Sequence, residues 1–230
     1  MSLMRLNKLI STLAASAVMI AAYAAGWDVI AINSSGVLNP GSVATSVPVN
    51  INGTTVNAPA TVNVTSLPQV TFLTNAGNPA PILVGNGTSY TNGTFTGVYE
   101  VKSMGGGPLT GFNFVLSGFV FDYGQIIFFK KVVDYNTSNV LFTGSWTWSG
   151  SAYGGTDGAV LLNQSFSLSN PSSHFLVFEV AILHIDGARA PGTSTASLQL
   201  IEQDWVPEPA SMLALSVGLA GLAALRRRKK

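Results

Sequence analysis

The chain has no cysteine, only two histidines and few charged residues, which make up 9% of its 230 residues. The missing cysteines exclude disulfides, zinc–thiolate and iron–sulfur sites and a cysteine nucleophile. The sequence also has no Gly-x-Ser-x-Gly, His-Glu-x-x-His or Walker motif, so no complete catalytic motif is visible. We therefore expect no catalysis by this chain, no cofactor and no metal.

Most of the basic residues lie at the two ends of the chain. Between residues 26 and 205 the sequence has four basic residues against nine acidic ones, a formal net charge of −5. Nucleic-acid binding requires clustered lysine or arginine, so we expect no nucleic-acid partner. The adjacent pair Lys130-Lys131 is the nearest approach to a basic cluster, and such a pair is typical of a solvated strand face.

The first 25 residues have the three parts of a secretory signal peptide. Arg5 and Lys8 form a basic region, and the mostly apolar stretch 9–22 follows it. Small residues then provide a cleavage site at Ala22-Tyr23-Ala24, with Ala25 as a near alternative. This pattern predicts the Sec machinery and signal peptidase as partners. An N-terminal membrane helix is the alternative interpretation.

The last 25 residues combine a short polar motif, an apolar run and a basic end. The apolar run 212–225 has 14 residues and would span roughly 21 Å as a helix, less than the bilayer core of about 30 Å. This length favours a processed signal over a permanent anchor, although both alternatives stay open. The basic end would be held on the cytoplasmic side of the membrane. The motif is Val206, Pro207, Glu208, Pro209 and Ala210, and the membrane stop is Arg226, Arg227, Arg228, Lys229 and Lys230.

These three parts, in this order, resemble the PEP-CTERM sorting signal of Gram-negative bacteria. The resemblance rests on Pro207-Glu208-Pro209, on the segment 218–225 and on the basic end. It implies an exosortase as partner, a transient stay in the inner membrane and delivery of the body to the cell surface or the extracellular matrix. The same tail is also labelled an ice-binding-protein C-terminal region, but that label concerns the tail and is weak evidence for ice binding.

Residues 26–205 predict a single antiparallel β-sandwich, jelly-roll-like, between the signal peptide and a C-terminal hydrophobic helix formed by the tail (residues 206–230). Thr, Val, Asn, Ser, Gly and Phe dominate this body, and turn residues recur every 8–12 positions or so. Apolar residues alternate along 94–102 and at Phe112, Phe114 and Leu116. In the stretch 175–184 both faces are apolar, which predicts a central strand buried on both sides.

Two hairpins are predicted from the turns that separate apolar runs. One would turn at Asp122-Tyr123-Gly124, and the other would pair 140–148 with 159–168. The uncharged region between residues 39 and 92 favours strands at a sheet edge. A flat threonine-rich face for carbohydrate or ice is the alternative for that region.

Aromatic residues offer another candidate ligand surface. Trp146 and Trp148 share a strand face, and Tyr153 lies in the loop that follows. Such a row could stack on sugar rings, so a carbohydrate-binding module for exopolysaccharide is the alternative function. Packing of the two tryptophans in the core is the competing interpretation.

A secreted hydrolase is a third hypothesis, and it needs a carboxylate pair or a histidine-centred site. His184 and Asp186 share a strand face, but no motif completes a site around them. Glu179 lies in an apolar strand and must be protonated or paired with Arg189 or a lysine. Asp157, in a glycine-rich loop, is a weak calcium candidate.

Overall fold

The computed structural model describes residues 26–39, 43–74, 82–87, 90–186 and 192–208, which form β-strands joined by turns and a short 3-10 helix, Ser151–Tyr153. The predicted signal peptide and the predicted hydrophobic helix lie outside this described part. The strands are β1 Gly26–Asn39, β2 Val43–Ser46, β3 Val49–Ile51, β4 Thr54–Val56, β5 Ala60–Val64, β6 Gln69–Phe72, β7 Ile82–Gly85, β8 Asn92–Met104, β9 Leu109–Phe121, β10 Gly124–Asp134, β11 Val140–Ser149, β12 Gly158–Ser172, β13 His174–Ile185 and β14 Thr195–Pro207.

The strands form two antiparallel sheets that pack face to face, which confirms the predicted β-sandwich. Sheet A has the order β11-β10-β13-β8-β1-β2, with β5 also paired to β1. Sheet B has the order β12-β9-β14-β6-β3-β4, with β7 also paired to β14. From β8 onward the chain passes repeatedly from one sheet to the other. The central strands of each sheet are therefore distant in sequence, which is the arrangement of a jelly roll.

The core lies between the two sheets and is rich in aromatic rings. The predicted alternations are confirmed: Phe95 and Tyr99 of β8 and Phe112 and Phe114 of β9 are fully buried. Since side chains alternate between the faces of a strand, each of these strands covers the core with every second residue. Trp205 of β14 joins the same cluster, and its indole N–H donates to the Tyr99 hydroxyl at 3.1 Å.

Both predicted hairpins are wrong. β9 pairs with β12 and β14, whereas β10 pairs with β11 and β13, so the turn at Asp122-Tyr123 carries the chain from sheet B to sheet A. For the same reason β11 and β12 lie at the edges of different sheets and do not pair with each other. A short polar turn marks a reversal of the chain. It does not specify whether the next strand pairs with the first in the same sheet or joins the facing sheet.

The prediction that β13 is buried on both faces is also wrong. Its odd-numbered residues face the core, but Phe178 and Ile182 on the other face are 38% and 39% exposed. They lie beside β10, where Phe129 is 44% exposed. The outer surface of sheet A thus has an apolar area, the outer apolar face, defined by Phe129, Phe178 and Ile182.

The region between residues 39 and 92 supplies short strands, as predicted, and most of them lie at sheet edges. β3 and β4 form a hairpin whose turn is Asn52-Gly53, and both turn residues have positive φ values of 49° and 84°. This is the geometry that an Asn-Gly pair favours in two-residue hairpins. No helix in the described part of the chain combines the length and the apolar character that a bilayer span requires.

Candidate functional site

The polar motif near the C-terminus begins inside the fold. Val206 and Pro207 are the last two residues of β14, where they pair with Gly111 and Leu109 of β9. The Thr110 hydroxyl donates to the carbonyl oxygens of both, at 3.4 and 3.2 Å. The next residue, Glu208, is also attached to the body, because its N–H donates to the Pro108 carbonyl at 3.4 Å. The body therefore ends directly at the motif, with no spacer between them.

A shallow depression of about 340 Å³ lies beside this end of β14 on the outer side of sheet B. The side chain of Asn52 orders its rim, because it donates to the Leu67 carbonyl at 2.8 Å and accepts from the Gln69 N–H at 2.9 Å. The motif and this depression form one continuous surface at one end of the sandwich. The lining residues are Asn52, Leu67, Pro68, Gln69, Asn113, Asp204, Trp205, Val206 and Pro207.

Residues 206–229 match the model of the PEP-CTERM protein-sorting motif. The chain carries a PEP-CTERM sorting tail. A PEP-CTERM tail implies an exported protein that an exosortase sorts. Of the predicted motif, Val206, Pro207 and Glu208 are placed by the structure, whereas Pro209, Ala210, the apolar run and the basic end of the PEP-CTERM tail lie outside the described residues.

Some solved structures match this chain at low similarity. TmCBM61 in complex with β-1,4-galactotriose is 11% identical over 59% of this chain and 69% of that chain, with a TM-score of 0.30. The family 11 carbohydrate-binding module from Clostridium thermocellum, in complex with a β-1,3-1,4-mixed-linked tetrasaccharide, is 9% identical over 79% and 98%, with a TM-score of 0.25. The infectious bursal disease virus Gx strain structure is 10% identical over 80% and 57%, with a TM-score of 0.30. These similarities are too weak to place a ligand in this chain.

The comparison with curated proteins found no match to this chain.

The structure places the three predicted carbohydrate residues in different surroundings. Trp146 is partly buried and packs against the rings of Phe114 and Phe128, at centroid distances of 5.7 and 6.0 Å. Trp148 is partly buried and also packs on the core. Tyr153 is 43% exposed and meets the Tyr123 ring edge-on at 5.6 Å. Since both tryptophans face inward, the three rings do not form one flat exposed row.

The residues of the hydrolase hypothesis are not brought together. Glu179 faces the core, while His184 lies on the opposite face of β13 and its Nδ1 contacts the Asn92 side-chain oxygen at 2.6 Å. His174 instead contacts Glu100 at 2.7 Å and stacks on Tyr135 with a centroid distance of 4.0 Å. Among the described residues, no group of three or more histidine and acidic side chains is arranged to hold a metal ion.

Asp157 orders its own loop. Its carboxylate accepts hydrogen bonds from the N–H of Asp122 at 2.7 Å and from the N–H and hydroxyl of Ser151 at 2.8 and 2.7 Å. The Ser151 N–H, followed by the Ser151 hydroxyl, holds the pKa of Asp157 below its usual value. The internal hydrogen bonds of Asp157 account for its position in the loop without a metal ion.

The prediction that Lys130 lies on a solvated strand face is wrong. Its side chain is fully buried, and its Nζ donates to Glu179 of β13 and to Gln203 of β14. Glu179 thus has a lysine partner, as expected of a buried carboxylate. Its strand, β13, lies in the middle of sheet A. Phe128 and Val132, on either side of Lys130 at two-residue spacing, are the sequence signal that could have placed this lysine inside.

Burial dominates the electrostatics of this cluster. It raises the pKa of Glu179 and lowers the pKa of Lys130, and the opposite charge of each partner counteracts the shift. Burial also raises the pKa of the neighbouring Tyr99 phenol, and the charge of Glu179 adds to that effect. Burial therefore acts against the charged form of each of these groups.

Proposed function

We propose that the chain is a surface or extracellular-matrix protein of a Gram-negative bacterium whose tail an exosortase processes, and that the body performs no catalysis of its own. The observation that carries this proposal is the PEP-CTERM motif over residues 206–229. Its position supports the proposal, because the motif begins where the last strand of the folded body ends. The body would pass to the surface after a transient stay in the inner membrane.

The short connection limits how the body can sit during sorting. Four residues, 208–211, separate the end of β14 from the predicted apolar run, and they span at most about 14 Å. The end of the sandwich with the depression would therefore face the membrane while the tail is inserted. An exosortase would have to reach the motif next to Thr110 and Pro108, which hold its first residues.

The test compares surface release of variants that leave β14 intact. Deleting residues 209–230 keeps the whole of β14 and should abolish sorting. The amount of protein released from the membrane should then differ at least tenfold from that of the wild type. Glu208→Gln removes only the charge of the motif and should block processing, so that the precursor accumulates. Glu202→Gln removes a charge on the same strand outside the depression and should be processed normally.

The intact mass of the released protein decides between processing and anchoring. A mass that ends near the motif supports cleavage by an exosortase. A surface form that retains residues 211–230 would show that the tail is a permanent anchor. If maturation is unchanged in both the Glu208→Gln variant and the deletion, the proposed role of the tail in sorting is wrong.

A second candidate, binding of exopolysaccharide, is favoured by the outer apolar face of sheet A. Phe129 and Phe178 lie on adjacent strands at diagonal positions and are both substantially exposed. Exposed aromatic side chains on a sheet surface can stack on sugar rings. A contiguous group of exposed apolar side chains often marks a binding site.

The binding test pairs two double variants. Phe129→Ala with Phe178→Ala should weaken binding to purified exopolysaccharide at least tenfold while the fold is kept. Trp146→Ala with Trp148→Ala tests the alternative platform, but it should also destabilise the core by about 3–5 kcal/mol, because large rings would be lost from a packed cluster. Binding that survives both pairs, measured on protein shown to be folded, would exclude both surfaces as the binding site. Absence of binding by the wild-type protein would exclude this candidate.

A further inference from the structure

The cluster in the core brings an amine, a carboxyl and a carboxamide into direct contact. Lys130 Nζ donates to Glu179 Oε1 and, at 2.8 Å, to Gln203 Oε1. The amide of Gln203 is fixed in orientation, because its Nε2 donates to the Val70 carbonyl at 2.7 Å. A carbonyl bond is about 1.2 Å long, so Nζ lies within about 4 Å of the Gln203 carbonyl carbon. This separation is close to the 3–3.5 Å or so of reacting atoms in a near-attack arrangement.

The surroundings of the cluster exclude water. Lys130, Glu179 and Gln203 are all buried, with relative exposures of 1%, 0% and 0%. Nζ lies 4.8 Å from the ring centres of both Phe112 and Phe114. Within the described part of the chain, the second carboxyl oxygen of Glu179, Oε2, is buried and has no hydrogen-bond partner. A buried ionised carboxylate with an unpaired oxygen is costly, and protonation of the carboxyl lowers that cost.

We propose that Lys130 and Gln203 become joined by a side-chain amide bond, formed within the folded core, with the Glu179 carboxyl transferring the protons. In this step Nζ attacks the Gln203 carbonyl carbon and forms the new carbon–nitrogen bond. The original bond from that carbon to Nε2 breaks, and Nε2 leaves as ammonia. One amine and one carboxamide become one substituted amide and one ammonia, so the reaction needs no oxidant, reductant or activated co-reactant.

Glu179, which contacts Lys130 Nζ directly, is assigned both proton transfers. It first takes the extra proton of Lys130 across their hydrogen bond, which leaves the amine neutral and nucleophilic. The protonated carboxyl then supplies a proton to the departing Nε2 and receives one from Nζ. Glu179 thus ends protonated and uncharged, the form that a buried carboxyl without a cation requires. The lowered pKa of Lys130 and the raised pKa of Glu179 favour the first transfer.

The bond would connect the two sheets and brace the strand that leads to the tail. Lys130 belongs to β10 of sheet A, Gln203 to β14 of sheet B, and 73 positions separate them in sequence. Val206, the first residue of the sorting motif, lies three residues after Gln203. A pull on the tail would therefore be transmitted along β14 to a covalent link and not only to hydrogen bonds.

Mass spectrometry of the purified full chain tests the proposal under denaturing conditions. We expect the mass to be lower than that of the processed sequence by one ammonia. Trypsin should not cleave after Lys130, and the peptide ending at Lys131 should be found joined to the peptide that contains Gln203. An unmodified mass would overturn the proposal, and the cluster would then be a buried ion pair. A loss of one water, with a bond between Lys130 and Glu179, would overturn it as well.

Variants separate the roles of the three residues. Lys130→Met should restore the full mass, and Glu179→Ala should do the same although both reacting groups remain. Lys131→Met changes the exposed neighbouring lysine and should leave the cross-link complete. If the first two variants fail to fold, the wild-type peptide map still decides the question. A complete cross-link in Glu179→Ala would exclude the proton-transfer role of Glu179.

Discussion

Two neighbouring lysines show how sharply environment changes from one residue to the next. Lys130 is 1% exposed, whereas Lys131 lies on the solvent side of the same strand. Side chains alternate between the two faces of a strand, so adjacent positions have opposite surroundings. A basic pair in a sequence therefore does not describe one surface, and the inward member has to be neutralised by partners.

Asp134 is the residue from which we expect a clear pH effect. Its carboxylate accepts from the Ser172 hydroxyl at 2.7 Å and from the N–H groups of Asn136 and Thr137 at 3.1 and 2.9 Å. The Ser172 hydroxyl, followed by the Thr137 N–H, lowers the pKa of Asp134 from its usual value. These bonds close the turn between β10 and β11.

Asp134→Asn should lower the free energy of unfolding by about 1 kcal/mol at neutral pH. Because the folded pKa lies below the unfolded one, this stabilisation is complete above the unfolded pKa of about 3.9 and is lost as pH falls through the folded pKa. Urea unfolding from pH 7 to pH 3 should therefore show the wild type and the variant converging in acid. A difference that stays constant over this range would contradict the prediction.

At the scale of elements, local signals identified turns correctly but not the partners of strands. The Asn52-Gly53 turn closes a true hairpin, whereas the Asp122-Tyr123 turn connects two sheets. The positive φ values of Asn52 and Gly53 follow from the two residues themselves. The partner of β10 follows instead from which strands bury their apolar faces together, and these strands include β14, which ends at Pro207.

Asn52 fastens the β3–β4 hairpin to the loop before β6, and two variants separate its roles. Asn52→Gly keeps an allowed positive φ but removes the side-chain hydrogen bonds to Leu67 and Gln69, so it should cost about 1 kcal/mol. Asn52→Ala loses the same bonds and also forces an alanine into the left-handed region, which should cost about 1 kcal/mol more.

Hydrogen exchange and urea unfolding check both effects. The Gln69 amide, which donates to the Asn52 side chain, should exchange faster in both variants. Equal stability of the two variants would show that the backbone conformation at Asn52 is not strained by alanine. Unchanged exchange at Gln69 would show that the side-chain contact does not protect the loop.

On the scale of the whole molecule, the folded body and the sorting tail meet without a linker. β14 is a central strand of sheet B, it contributes Gln203 and Trp205 to the core, and its last residues are the start of the motif. If the tail is sorted as proposed, sorting, the distance of the body from the membrane and the stability of the core are coupled through one strand. A change that loosened the end of β14 would alter both the fold and the access of a processing enzyme to Pro207.

The sequence by itself determined the features that depend on local pattern and composition. The order of motif, apolar run and basic end defined the PEP-CTERM tail, because such a signal is a linear segment. Two-residue alternation at Phe95, Phe112 and Phe114 and frequent turns defined an all-β sandwich, because strand geometry puts alternate side chains on one face.

Only the tertiary structure decided which strands pair and which polar groups meet. Lys130, Glu179 and Gln203 come from three strands, and nothing local in the sequence relates their positions. Their contact exists because the jelly-roll order places β10 and β13 opposite β14, and because the apolar packing of both sheets leaves these side chains no route to water. That combination follows from the sum of all the non-local contacts in the core and not from any segment within it.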